Sequence, residues 1–514
     1  MKKAISIGIL AFTLLLSACS SNAPSAGTGG EAVAKDLVVA SGADAVKLDP
    51  QDSTDSISNN VIGLIFDKLV TFDNNNNIVP QLAKEWTLSP DGMKLTFKLV
   101  EGAKFQDDAP VNAEAVKITF DRVLNKDNKL ARYNMFSQFI DQVVVDSEYQ
   151  VTFQLKFPYK PALATFTHAA GSILSPKSVK ENSKNIAKAP VGSGPYKLKE
   201  WVQGEKLVLE PSPNFWGEKP KLQTITFKAV PENAARSLML ETGEADLILP
   251  VPVADIDRLK GNDKVQVTEF ASNRNLYIGI NAKKAPFDNV KVRQAMNYAV
   301  DKETIAKKIL MGQGKVLQSA IAEKVWGFAP VGAYPYDPEK AKQLLAEAGF
   351  KEGTTVNLWT SDGRYLMDRQ IAEFVQGNLQ AVGFKVEFRK WDFGALLSEL
   401  GKPEASYDLY LSSASVPAND AEYTLSPSFA SNGAYNYGKV FANADVDALL
   451  IQGVKAANDE ERKKIYKDAL QTIKDQAPWI FLVEFNYPVG ARKEVQGYHV
   501  WNTENLDLRD AVKK

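Results

Sequence analysis

The residues able to do chemistry in this chain are few in kind. Its 514 residues include two histidines, His168 and His499, and one cysteine, Cys19. A thiolate zinc site and a His-rich metal cage are therefore excluded, and a His-dependent nucleophile triad has very few ways to form. Gly192-Ser193-Gly194-Pro195 lacks the Gly-x-Ser-x-Gly spacing of a nucleophile elbow and reads as a turn. Gly312-Gln313-Gly314 lacks the third glycine and the preceding strand of a dinucleotide loop, and no phosphate-cradling Gly-Lys-Ser/Thr motif occurs. The 62 acidic residues show no spaced carboxylate pair of the kind a hydrolase uses. What remains is recognition chemistry without catalysis or cofactor: arginines that grip a carboxylate with a planar fork, acids that meet an ammonium, and aromatic rings.

Such groups need elements to hold them, and the clearest lie between 355 and 413. Strand 356–359, helix 367–381, strand 385–391, helix 392–400 and strand 407–411 alternate, which predicts βαβαβ and a mainly parallel sheet. Ligands bind such sheets beyond the carboxyl ends of the strands. Those ends are 360–364, 391–392 and 412–420, so one crevice is expected to collect Arg364, Trp391 and Asp420. Before this region, 36–281 is rich in short strand-like runs with interspersed helices, such as 112–124 with Asn112 as its cap and 233–241 before Gly243. The run 276–280 is one of those strands, and 74–77 reads as a turn. From 288 to 476 long amphipathic helices take over: 289–300, 337–348, 367–381, 444–457 and 459–475. Asp337-Pro338 and Gly349 give the second of these its cap, first-turn proline and stop.

Composition sets the class. Lys+Arg number 61 against 62 Asp+Glu, a balance without the basic excess that nucleic-acid binding needs, and 45% of residues are hydrophobic. About 150 residues per domain suggests roughly three units. Lys2 and Lys3 precede an apolar run over 4–16, too short for a bilayer span of about 20 residues and of the length of a secretory signal. Leu16-Ser17-Ala18-Cys19 resembles a bacterial lipobox, in which the cysteine thiol takes a diacylglyceryl group. Removal of 1–18 leaves Cys19 at the head of a Ser/Gly/Ala-rich tether, 19–35. Two acyl chains give stable anchoring where one does not. The chain is thus expected to be exported and held at the outer, extracellular or periplasmic side of the cell membrane.

Several stretches in order look like one family. They are Leu48-Asp49-Pro50, 79–100 (VPQLAKEWTLSPDGMKLTFKLV), Glu101-Gly102-Ala103-Lys104-Phe105, 112–116 (NAEAV), 191–196 (VGSGPY), 240–246 (LETGEAD), 286–301 (PFDNVKVRQAMNYAVD) and 336–349 (YDPEKAKQLLAEAG). The chain thereby resembles the family 5 extracellular solute-binding proteins, the peptide and nickel class of receptors of ABC importers. Within it, 421–431 (AEYTLSPSFAS), Leu249-Pro250-Val251-Pro252 and 130–136 (LARYNMF) are most similar to glutathione-binding receptors. Asp107-Asp108 replaces a familiar Asp-Gly, and Ser413-Ala414 stands where those receptors carry Gly-Trp, which removes an aromatic wall.

The resemblance implies an α/β, two-lobed periplasmic-binding fold of type II, with 36–280 plus 488–514 as first lobe, an extra subdomain over about 72–190, and 281–487 as second lobe. The lobes are expected to close on the ligand about crossovers near Asn281 and Tyr487. It implies that Arg364 meets a ligand carboxylate, unless it is a solvated loop arginine, and that Asp420 or Glu422 meets an ammonium, with helix capping the other reading of Asp420. Arg132 lies in a segment that supplies an arginine in nickel-chelate and glutathione relatives, or is a solvated helical arginine. Trp391, Tyr435 and Tyr437 stack on the ligand or pack the core, and Ser53 and Thr54 donate hydrogen bonds to it. The implied function is a lipid-anchored, monomeric receptor that hands a short peptide or glutathione-like solute to a permease driven by separate ATPase subunits. The alternatives are a nickel-chelate receptor of the same family, its metal held inside a chelator, and a sensory or interaction protein on the same fold.

Overall fold

Local chemistry sets the helix ends. The side chain of Asn112 accepts from Ala115 N at 3.0 Å and opens the helix Ala113–Leu124. Asp337 does the same for Lys340 N at 2.8 Å ahead of Pro338–Glu347, and Gly349, at φ 66°, follows its end in the left-handed region. Asn233–Thr242 stops at Gly243, φ 83°. The computed structural model describes residues 36–361, 364–391, 393–402 and 406–514. The expected signal, Cys19 and the tether lie outside the described residues, as does Asp392. Among the described residues no helix is long and apolar enough to cross a membrane.

Two long strands, Val265–Ile280 and Trp479–Arg492, pair antiparallel along most of their length and form the spine of an 11-stranded sheet. Beyond Val265–Ile280 lie Leu409–Ala414, Thr355–Thr360 and, at the edge, Lys385–Lys390. Beyond Trp479–Arg492 lie Leu247–Leu249, Asp36–Ser41, Thr224–Ala229, Lys206–Pro211 and Tyr196–Val202. The 355–414 strands are parallel to one another, as the alternation predicts. Leu409–Ala414 nevertheless joins the spine antiparallel, so the sheet as a whole is mixed rather than mainly parallel. The expected strand 276–280 is only the end of a 16-residue strand. Its partner Trp479–Arg492 has no alternation to betray it, because it is buried on both faces for much of its length.

The spine carries the chain between cores. Leu276, Ile278 and Ile280 pack with Ile480, Leu482 and Val483 and with the helix Val290–Ala299, while Tyr277 stacks on Trp479 at 3.5 Å. Val489 and Ala491 belong instead to a core built on Leu37, Val39, Ile62 and Leu247, and Val265 to its neighbour around Leu240 and Ile248. The change of core on Val265–Ile280 coincides with a register shift between Ala271 and Asn275. There Ser272 and Arg274 both donate to the Glu504 carboxylate, the latter at 2.8 Å through Nη2, which braces the irregular backbone with a charge-assisted pair.

A fourth core surrounds a separate antiparallel sheet of Ala83–Leu88, Lys94–Leu99, Gln150–Leu155 and Ile140–Ser147. Phe97, Phe120, Phe153 and Phe166 meet there mainly edge to face, Phe120 and Phe153 at 4.9 Å. This unit reaches the far side of the spine: Lys160 N donates to Val454 O at 3.0 Å.

Candidate ligand cleft

One wall is built around Asp420. Trp326 N donates to Asn419 O and Ala421 N to Trp326 O, a short bridge that fixes the chain entering the helix Glu422–Phe429. The Asp420 carboxylate is buried and accepts from Arg462 Nη1 at 2.7 Å and Nη2 at 2.6 Å. The Arg462 guanidinium also lies 4.4 Å from the Trp326 ring centre. Burial alone would weaken its charge, but Asp420 more than offsets that. Asp420 Oδ1 also accepts from Glu422 N at 3.0 Å, a turn one residue ahead of the helix cap, which falls on Ala421 and carries no side-chain bond, so Asp420 is held by an ion pair the sequence did not suggest rather than serving as the cap.

Glu422, two residues on, has no cation paired with it among the described residues. Its Oε2 accepts from Tyr466 OH at 2.9 Å, and that hydroxyl accepts from Arg462 Nη2 at 2.9 Å. Burial pushes the Glu422 carboxyl up to about 7, against the hydrogen bonds from Ser426 and Tyr466 and the charge of Arg462. At neutral pH this carboxyl therefore sits between its neutral and ionised forms, and a cation placed beside it would draw it to the ionised one.

The facing wall belongs to the first part of the chain. Arg132 N donates to Gln51 O at 3.1 Å and Nε to Ser53 O at 2.8 Å. Gln51 is clamped in turn by Arg122, which donates to its Oε1 at 2.6 Å while ion-pairing with buried Asp49. Arg132 thus stands on a braced turn, half-buried, and among the described residues no carboxylate pairs with it. Burial draws its pKa down, opposed by Tyr435, Asp55 and Tyr423, of which the two tyrosines belong to the opposite wall. The walls touch where Tyr423 OH donates to Thr165 Oγ1 at 2.5 Å.

Beside Arg132 is His168, buried, its Nδ1 accepting from Ala170 N at 2.9 Å, so the neutral ring carries its proton on Nε2. Burial, then the charges of Arg132 and Lys68, hold it well below the ordinary histidine range. Lys68 Nζ donates to Thr167 O at 2.8 Å and lies 5.8 Å from the Trp501 ring centre. Burial and Arg509 lower its pKa to about 8.

The other residues expected from sequence are placed as follows. Arg364 is exposed, its backbone N–H held by Asp368 at 2.8 Å and its guanidinium 4.8 Å from the Phe393 ring centre. Trp391 is half-buried against Trp359 at 5.2 Å, and its Nε1 has no hydrogen-bond partner among the described residues. Tyr435 is 53% exposed; Tyr437 lies 6.3 Å from it and 5.6 Å from Tyr410. Ser53 is buried with its hydroxyl on Asn59, while Thr54 is exposed. Among the described residues no contact joins Arg364, Trp391 and Asp420 to one another: Trp391 turns back on its neighbouring strand, and Asp420 lies past the strand end, bridged to Trp326. Instead Arg132 lies near enough to Tyr423, Tyr435 and His168 for charge to be felt between them, and Glu422 is the chain neighbour of Tyr423. Only the i, i+4 spacing of Arg462 and Tyr466 on one helix face hinted at the network behind Glu422. No group of three or more His, Cys, Asp or Glu among the described residues is placed to hold a metal ion.

Comparison with known proteins gives the family. Residues 77–436 match the family described as bacterial extracellular solute-binding proteins, family 5 Middle. The glutathione-binding protein GsiB of Pectobacterium atrosepticum is 34% identical over 485 residues, covering 93% of this chain and 94% of that protein. GsiB of Escherichia coli strain K12 is 32% identical over 93% of this chain and 94% of that protein. Among solved structures, the periplasmic binding protein DppA of Helicobacter pylori in complex with peptide STSA superposes with a TM-score of 0.80 at 28% identity, covering 94% of this chain and 98% of that one. NikA of Brucella suis in complex with Fe(III)-EDTA, at 24% identity and a TM-score of 0.84 over 93% of this chain and 100% of that one, shares the fold.

Proposed function

This chain belongs to the bacterial extracellular solute-binding proteins of family 5, and from that premise we propose that it captures a short peptide or glutathione-like solute between its two lobes and delivers it to an ABC permease. What supports this reading is that Arg132, a half-buried guanidinium with no carboxylate paired to it among the described residues, feels Tyr423 and Tyr435 of the opposite wall, and that Glu422, next to Tyr423, is a buried carboxyl with no cation paired to it among the described residues. A solute bearing a carboxylate and an ammonium completes both. Asp420, already neutralised by Arg462, positions the Glu422 wall rather than touching the solute. Tyr435 and Tyr437 offer ring faces to it, and Arg364 is the second arginine to be tested for the carboxylate. The lobes are 36–280 with 488–514 and 281–487, with the extra subdomain over about 72–190; the separate cores support two lobes and a subdomain, although Leu276, Ile278 and Ile280 pack in the second lobe's core and Leu174 and Ile186 in the first lobe's. The exported chain is held at the membrane as a monomer by lipid on Cys19, the ATPase subunits acting through the permease.

The test is calorimetry with a neutral dipeptide such as Ala-Ala. Truncating one member of a desolvated charge pair costs about 2–5 kcal/mol, or roughly 30-fold to a few thousand-fold in affinity. Arg132→Ala is expected to fall in that range, Arg364→Ala to cost less, and amidating the dipeptide to mimic Arg132→Ala. Binding of nickel-histidine with no binding of peptides or glutathione would defeat the ligand class.

A further inference from the structure

We propose that Lys68, beside His168 and Trp501, is a second anion subsite of the same cleft, so that the preferred solute carries two carboxylates and one ammonium. This rests on the function proposed above and goes on to name the charge pattern of its solute. The turn 165–168 lines the gap between the walls, because Thr165 Oγ1 meets Tyr423 OH of the opposite wall. Lys68 Nζ donates to Thr167 O of that same turn, and His168 is close enough to both Arg132 and Lys68 to feel each charge. The two cations and the neutral imidazole therefore share one wall.

Lys68 has donors to spare. An ammonium carries three N–H groups; one goes to Thr167 O, the Trp501 ring lies 5.8 Å away, and no carboxylate pairs with Lys68 among the described residues. The nearby Asp67 carboxylate is occupied by Arg509, Ser193 and Trp216. Trp501 Nε1 is buried without a hydrogen-bond partner. The residue after it, Asn502, donates to Asn419 Oδ1 at 2.7 Å, next to Asp420, which brings the Trp501 segment up to the opposite wall. With Arg132 and Lys68 positive and Glu422 negative, the site matches a solute of two carboxylates and one ammonium. Arg132, near Tyr423, takes the carboxylate beside the ammonium, and Lys68 takes the remote one. An extended tripeptide, about 10 Å long, can straddle His168. Glutathione, a γ-glutamyl tripeptide, has this pattern; an ordinary neutral dipeptide does not.

Calorimetry with glutathione, its glycine amide and Ala-Ala tests the assignment. In the wild type the amide is expected to bind at least tenfold more weakly than glutathione. Lys68→Met should weaken glutathione by a similar factor, leave Ala-Ala within threefold and show no further loss with the amide, while Lys68→Arg keeps most of the affinity. Equal losses for glutathione and Ala-Ala, or none for glutathione, overturn the subsite. Wild-type binding of Ala-Ala but not glutathione overturns it too and leaves the receptor reading standing; binding of neither ends both.

Discussion

Asp420 and Arg462 meet through two hydrogen bonds, 2.7 and 2.6 Å, with both side chains buried, so the acidic wall is half neutralised before any solute arrives. Removing one partner of a buried pair typically costs about 3–5 kcal/mol, because the other charge is stranded. Asp420→Ala should therefore lower the unfolding free energy by that order, read as a lower denaturant midpoint, and Asp420→Ala with Arg462→Met should recover much of it. If the double variant is as unstable as the single one, the pair is not what holds the Trp326 bridge.

Glu422 predicts a pH dependence of definite sign. Its folded pKa is raised from 4.5 to about 7, so between those values the folded chain holds a proton that the unfolded chain has lost. Stability should fall as pH rises through that window and reach its low plateau above it. A bound ammonium favours the ionised form, so binding should release a proton below pH 7, and affinity should rise as pH approaches 7. Binding heats at pH 6.5 that do not vary with the buffer's ionisation enthalpy, or that vary equally in Glu422→Gln, would sink this.

Tyr423 OH on Thr165 Oγ1 at 2.5 Å is one of the direct ties between the walls. A hydrogen bond of this kind contributes about 0.5–1.5 kcal/mol, or roughly twofold to tenfold in an equilibrium. Tyr423→Phe should weaken solute binding by that factor while enlarging the unliganded particle in small-angle scattering. Unchanged affinity would show that the walls close without this bond.

Cys19→Ala should move the protein from the membrane fraction to the soluble one with solute binding intact, since no other residue carries a thiol. Metabolic labelling with a fatty-acid analogue checks the same point; retention of the variant at the membrane refutes the anchor.

What the sequence revealed tracks how far each signal reaches. Asn112, Asp337 and Gly349 act within one helix turn, and their elements were legible. The pairing of Val265–Ile280 with Trp479–Arg492 joins residues some two hundred positions apart, and the second strand is too uniformly apolar to show a period. The same holds in the cleft. Aromatic and charged candidates could be named one by one, but not that Asp420 would be taken by a residue 42 positions on, nor that His168, read only for what so few histidines exclude in metal binding and catalysis, would lie close to two cations.

The topology of the spine has a mechanical corollary. The strand Asp36–Ser41 and the tail through Leu508 and Ala511 share one core with Leu247 and Val489, so the chain enters and leaves the same half of the molecule. The half holding Leu276 to Phe485 is a closed excursion hung on two adjacent strands. A pull arriving through Asp36–Ser41 or Leu508 reaches the excursion only through those two strands and through cross-ties such as Tyr423 to Thr165 and Lys160 to Val454.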